Sequence, residues 1–326
     1  MRVRSSLLPP LGAVGTGLLL AAPAAVAQPP VEGGGDPLLL GGALPPVRAE
    51  GGHRPQVRRD RDGNLVLRNR HLVAVLPKRG STYGPLALYP NPRSGTEELR
   101  PIASARFFTT AAAASVEARV RGEWVELSPA GAQGNGAATV VLKIGDEPWI
   151  DWEARAEAGS PPEVTVAVLA GREGPRETLL PGVLYQDGTE AISSTPYTPD
   201  AYRVTVPAMA LHQNRVTVGV LWKPTGSGGN RAGVLFHPRK ESVRMEVSLP
   251  RGSAGTGQLR QSGKLLVLPD SSGPTDAARM WAEAFPLPEE IDYPRSFAAE
   301  RRLSRQAFTD TLWSASAPGW KLSPDA

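Results

Sequence analysis

Cysteine is absent from all 326 residues, which excludes a disulfide framework and any thiolate metal centre. Stability must therefore come from a buried apolar core. Histidine is nearly as scarce, being confined to His53, His71, His212 and His237. No HExxH and no close histidine pair occurs, so no metal is expected, and no cofactor motif is present. No G-x-S-x-G elbow occurs either, although a Ser-His-Asp set assembled from distant residues stays open. GSGGN (226–230) lacks the Lys-Ser/Thr ending of a phosphate loop and no helical pattern follows it. It reads as a loop.

What is present begins with an address. Arg2 and Arg4 precede a largely apolar stretch from Leu11 to Ala22, and Ala25-Val26-Ala27 supplies a small-x-small cleavage pattern. The spacing predicts a secretory signal peptide over 1–27, and hence a secreted or periplasmic product. The apolar stretch is too short to span a bilayer and is interrupted by Pro23, and no second stretch is long enough. No membrane association is expected once the signal is removed. Without Arg2 and Arg4, 34 basic residues face 32 acidic ones, a net charge of +2. No basic run carries interleaved aromatics, so no nucleic-acid partner is expected.

Residues 28–56 are rich in Gly and Pro and read as a flexible leader. From Val57 the character changes to short β-type runs separated by turn residues. Among them are HLVAVLP (71–77), SVEARV (115–120), EWVEL (123–127), ATVVLKI (138–144), RVTVGVLW (215–222) and SVRMEVSL (242–249). In WIDWEARAEA (149–158) the alternation puts Trp149, Asp151, Glu153 and Arg155 on one face and Ile150, Trp152 and Ala154 on the other. About a dozen such strands predict a mainly β chain, a large antiparallel sandwich over 57–270. A propeller is the competing architecture, but no constant blade period is visible. His212-Gln213-Asn214 marks a hairpin loop. GVLY (182–185), GVLW (219–222) and GVLF (233–236) place a valine and an aromatic on one face, which suits three strands filling one core.

Residues 271–326 form a separate helical extension. In PTDAARMWAEAF (274–285), Ala277, Met280, Trp281, Ala284 and Phe285 make one apolar stripe, with Thr275 as N-cap and Pro286 as stop. A second amphipathic pattern covers 296–313.

The stretch LLPGVLYQDGTEAISS (179–194) concentrates chemistry-bearing side chains. Asp187-Gly188 is a strong signal for a two-residue turn, which accounts for Asp187 without catalysis. Glu190 is either a solvated loop charge or an acceptor for a sugar hydroxyl. Paired carboxylates for glycoside hydrolysis must flank the bond in space, which adjacency in sequence does not establish. Seven tryptophans, none before residue 124, supply rings that fill a core or stack on sugar C–H faces. Trp222 ends a strand before a Pro-Gly loop, where a ligand platform is a sensible reading. The candidate carbohydrate contacts are thus Tyr185, Asp187, Glu190 and Trp222, and no catalytic residue is assigned.

HLVAVLPKRGSTYGPLAL (71–88), VVLKIGDEPWIDWEARAEAG (140–159), LLPGVLYQDGTEAISS (179–194) and VTVPAMALHQNRVTVGVLWKP (204–224) follow one another in an order that resembles a family. They look like the galactose mutarotase-like β-supersandwich domain that precedes helical toroid domains in bacterial carbohydrate-active enzymes. FTDTLW (308–313) followed by GW (319–320) is similar to the first toroid helix. The resemblance implies a β-supersandwich followed by the start of an incomplete α/α toroid, and hence a fragment or truncated product. It implies an oligo- or polysaccharide partner and a glycoside hydrolase-like or polysaccharide lyase-like activity whose carboxylates sit largely in the toroid. Two other readings stand beside it. One is a non-catalytic carbohydrate-binding or cell-envelope interaction module. The other is a stand-alone sugar epimerase, for which His212 or His237 with Glu190 is the available acid–base set. Substrate, linkage and oligomeric state are left open.

Overall fold

Burial alternates residue by residue along Thr139–Ile144, where Val140, Leu142 and Ile144 are buried and their neighbours are half-exposed. The same period runs through Trp124–Pro129, Gly233–Pro238 and Val243–Ser248, so each of these strands turns one face to a core. Leu72–Leu76 and Val164–Ala170 are instead buried throughout, as strands covered on both sides must be. The computed structural model describes residues 47–48, 54–91, 98–108, 115–131, 138–157, 164–172, 174–181, 185–186, 197–198, 204, 206–223, 233–238, 242–249 and 258–286.

Among the described residues two large sheets form, antiparallel at every pairing. The smaller has eight strands, from Gly233–Pro238 at one edge through Val243–Ser248, Val164–Ala170, Ala103–Phe108, Leu86–Pro90, Leu72–Leu76 and Leu65–Arg68 to Gln56–Arg59. The larger has eleven; its centre runs Ala208–Gln213, Val216–Trp222, Gln258–Pro269, Trp149–Glu157, Thr139–Ile144, Trp124–Pro129. Gln258–Pro269 is inserted between strands far earlier in the chain, pairing Trp149–Glu157 on one side and Val216–Trp222 on the other. Inner-face residues of both sheets form one core that includes Leu67, Leu88, Phe107, Leu142, Trp152, Val220 and Phe236. The mainly β antiparallel architecture is therefore as the strand spacing predicts.

The repeated GVL-aromatic stretches behave alike where they are described. Val220 and Trp222, and Val234 and Phe236, all enter the main core, whereas Leu221 faces the opposite side of its sheet. Residues 182–184 and the Tyr185 side chain lie outside the described residues.

Part of the stretch read as leader is ordered. Val47–Arg48 pairs with Glu98–Leu99 in a small ribbon, and Val47 and Leu99 bury Val66, Val73, Val75 and Tyr89 from the outer side of the small sheet. Burial in this second layer pushes the Tyr89 phenol up to about 12.

The tight connection at Arg68-Asn69-Arg70 is built on Asn69, which is fully buried. Its Oδ1 accepts from the His71 and Leu72 N–H groups at 2.8 and 2.9 Å, and its Nδ2 donates to the Gly145 and Glu147 carbonyls at 2.7 Å each. All four hydrogen-bonding positions of the amide are used, and they tie a turn of the small sheet to a turn of the large one.

The hairpin expected near His212 is displaced by two residues. Gln213 still pairs with Val216, and the turn is Asn214-Arg215, both left-handed with φ of 53° and 63°. A two-residue I′ turn requires that conformation at both positions; asparagine tolerates it, whereas arginine is strained by it.

The helix spans Asp276–Ala284, and its stripe packs as predicted. Ala277 and Met280 are buried, while Trp281, Ala284 and Phe285 lie against Leu221, Leu266 and Trp149 on the outer face of the large sheet. Thr275 occupies the N-cap but makes no side-chain capping bond. Asp276 ties the entry instead. Its Oδ2 accepts from Ser271 Oγ at 2.7 Å, the Ser272 N–H at 2.9 Å and Ser272 Oγ at 3.1 Å. At the other end Phe285 N–H donates to the Trp281 carbonyl, one residue before Pro286. The second helical pattern, at 296–313, lies outside the described residues.

Candidate functional site

Four central strands of the large sheet send their polar positions to the outer face beyond the helix. Register fixes who stands beside whom. Trp124, Lys143, Asp151 and Lys264 form one row across the strands, and Glu126, Val141, Glu153 and Ser262 form the next. Their sequence neighbours Val125, Leu142, Ile150, Trp152 and Leu265 are in the core. Strict alternation therefore makes the polar strip a necessary consequence of the buried one. At about 4.8 Å between strands, each row is about 14 Å wide.

Across the first row the charges alternate in sign, Lys143, Asp151 and Lys264. Lys264 is ion-paired with Asp151, and its Nζ stands 5.7 Å from the Trp149 ring and 5.4 Å from the Phe285 ring. Arg155 Nε donates to Glu153 Oε1 at 2.8 Å. That hydrogen bond and the charge of Glu153, with a smaller contribution from Glu126, hold the Arg155 guanidinium above its ordinary value. Lys143 Nζ lies 5.6 Å from the Trp124 ring, within cation–π range.

Trp124 is the exception on this face. It is 46 % exposed, whereas Trp149, Trp152 and Trp222 are 8 %, 2 % and 4 % exposed. An indole open to solvent, with carboxylates and cations in its own and the next row, can stack on an apolar ring face while its neighbours hydrogen-bond hydroxyls. Nothing singles Trp124 out when strands are sought as runs. The signal is nevertheless in EWVEL: if Val125 and Leu127 are inside, Trp124 and Glu126 must be outside.

The sequence candidates do not assemble into one described site. Tyr185 begins the short edge strand Tyr185–Gln186, paired to Glu177–Leu179, but its side chain lies outside the described residues, as do Asp187 and Glu190. Trp222 is described and is a core residue. It stands opposite Gly263, which on its other side stands opposite Trp152. The Trp152 ring occupies the room the glycine leaves, and Trp222, buried in the same core, presents no ring face to solvent. Its carbonyl accepts from Trp281 Nε1 at 3.0 Å, which pins the helix to the sheet.

His212 belongs to a different constellation. Its Nδ1 is 3.0 Å from Thr217 Oγ1, which is 2.7 Å from Ser271 Oγ, which donates to Asp276. The Gly273 carbonyl also accepts from Thr217 Oγ1 at 3.1 Å and from Ser271 Oγ at 3.0 Å, so the hydroxyls link His212 to the start of the helix. Among the described residues no group of three or more His, Asp or Glu side chains is placed to hold a metal ion, and no helix is long and apolar enough to cross a membrane.

The chain matches no protein-family model and no curated protein. Among solved structures it is similar to a TPR-domain containing protein from Parabacteroides distasonis, with a TM-score of 0.44 and 9 % identity. That match covers 70 % of this chain and 49 % of the other, so the chain spans about half the length of that protein.

Proposed function

We propose that this is an exported, carbohydrate-associated protein, the N-terminal β-sandwich part of a glycoside hydrolase-like or polysaccharide lyase-like enzyme. The N-terminal signal pattern, the order of strand motifs and the polar outer strip support the reading. The observation that carries it is the exposed Trp124 ring, with Lys143 and Asp151 in its own row and Glu126 and Glu153 in the next. In this reading the ring stacks on a sugar of an oligo- or polysaccharide, and the charged side chains bond its hydroxyls. Tyr185, Asp187 and Glu190 remain candidate contacts, and Trp222 is replaced by Trp124.

A non-catalytic binding module is the second reading, favoured by one observation. Asp151 and Glu153 are each engaged by a cation, Lys264 and Arg155, an arrangement suited to holding a ligand rather than moving protons. A glycan array with the purified chain tests both. Retention of an oligosaccharide that Trp124→Ala weakens about fivefold or more, the worth of one aromatic contact, supports the strip. Release of reducing or unsaturated sugar favours the enzyme. Absence of glycan binding, or binding indifferent to Trp124→Ala, refutes the assignment of this face.

A further inference from the structure

At one end of the sandwich the two sheets part around a cavity of about 400 Å³, within the size range of small-molecule sites. Its floor is aliphatic, formed by Leu211, Val216 and Val218, and Leu99 also lines it. Leu211 pairs with Val218 and Gln213 with Val216, so alternation puts all four on the inner face of the large sheet. The facing wall is Ile102 and Gly171, joined by a bond from the Gly171 N–H to the Ile102 carbonyl at 3.1 Å. Gly171 has a φ of +92°, and a Cβ there would come within 2.6 Å of Leu211 Cδ2. Only glycine lets the wall approach so closely.

The rim is polar and cationic. Arg100, Arg172 and Asn214 are all exposed there. Arg172 is held through its backbone by one side chain: its N–H donates to Gln213 Oε1 at 2.9 Å and its carbonyl accepts from Gln213 Nε2 at 2.9 Å. Its Nη2 donates to the Pro101 carbonyl at 2.9 Å. A guanidinium carries five N–H donors, so donors remain for a guest. The Gln213 amide is spent on this bracing, with a further contact from Nε2 to the Pro175 carbonyl at 3.4 Å. It has little left to offer sugar hydroxyls.

Among the described residues the cavity lining contains no aromatic ring. A floor of branched aliphatics favours methylene groups, and two guanidiniums at the rim favour a carboxylate. We propose that this cavity binds an aliphatic carboxylate, its chain lodged between the sheets against Leu211, Val216 and Val218 and its head at Arg100 and Arg172. The cavity opens on the inner side of the large sheet, whereas the Trp124 strip lies on the outer side, so the proposal stands independently of the carbohydrate reading.

Isothermal titration of the full chain with decanoate tests it, with decanol and glucuronate as companions. Decanoate is expected to bind, decanol about tenfold more weakly, and glucuronate more weakly still. Arg172→Gln and Arg100→Gln should each lower decanoate affinity about fivefold or more with the melting temperature unchanged. Val216→Trp, at a half-buried position beside the turn, should fill the cavity and abolish binding; Val216→Met provides the milder block if the larger side chain disturbs folding. No decanoate binding at millimolar concentration, equal affinity for decanol, preference for glucuronate, or binding unchanged in all these variants would each overturn the proposal.

Discussion

Asp276 holds the helix to the sheet, and its charge state should be visible in the acid stability of the protein. Its side chain is 16 % exposed. Burial alone would raise its pKa, but hydrogen bonds from the Ser271 hydroxyl, the Ser272 backbone and hydroxyl, and Arg279 outweigh it and bring the carboxyl from 3.8 down to about 2. A folded-state pKa below the unfolded one means that the ionised form stabilises the fold. The contribution is fully present above the unfolded value and is lost as pH falls from about 4 towards 2. At about 1.4 kcal/mol per unit it amounts to about 2 kcal/mol. Asp276→Asn cannot carry the charge and should lose that amount at pH 7. Urea denaturation followed by tryptophan fluorescence measures it, because Trp281 lies on the helix and bonds the Trp222 carbonyl. The stability gap between wild type and Asp276→Asn should be about 2 kcal/mol at pH 7 and less than half of that at pH 2. A gap that does not shrink on acidification, or one under about 0.3 kcal/mol at pH 7, would refute the reasoning.

Three further outcomes follow from packing and hydrogen bonding. Asn69→Ala strands two N–H groups and the carbonyls of Gly145 and Glu147, and should cost about 2–4 kcal/mol in urea denaturation, with Asn69→Asp recovering only the bonds to His71 and Leu72. Gly263→Ala places a methyl within 2.6 Å of Trp152 Cε2 and against the Leu221 carbonyl. It should lower stability by about 2–3 kcal/mol, read as a fall in thermal midpoint, whereas the same change at the open turn residue Gly145 should cost little. Arg215→Gly relieves a left-handed φ of 63° and gives up only a 3.4 Å pair with Asp270 between exposed side chains. It should raise stability by about 0.5–1 kcal/mol, measurable as a higher urea midpoint.

Much of the fold is legible locally because period and punctuation are local properties. ATVVLKI alternates and does become an alternating strand; DAARMWAEAF repeats at helical spacing and buries that stripe. The site was less legible. Trp222 and Trp124 both sit in strands next to turn residues, and composition does not separate them. Trp222 turns inward because its register partner is Gly263, itself covered from the other side by Trp152, and that register joins segments about 40 and 110 residues apart. Trp124 turns outward because Val125 and Leu127 take the core positions. Similarly, Thr275 is a good cap by type, yet Asp276 ties the entry, because Ser271 is already positioned by Thr217 from another strand.

The sequence by itself determined the β class, the alternation within each strand and the apolar stripe of the helix, since these follow from the order of neighbouring side chains. Tertiary structure decided which face of each strand is inside, which tryptophan meets solvent, how Gln213 braces Arg172, and how Asp276 reaches His212 through two hydroxyls. Those are pairings between distant segments. They are selected by the joint burial of two sheets, and no local stretch contains that information.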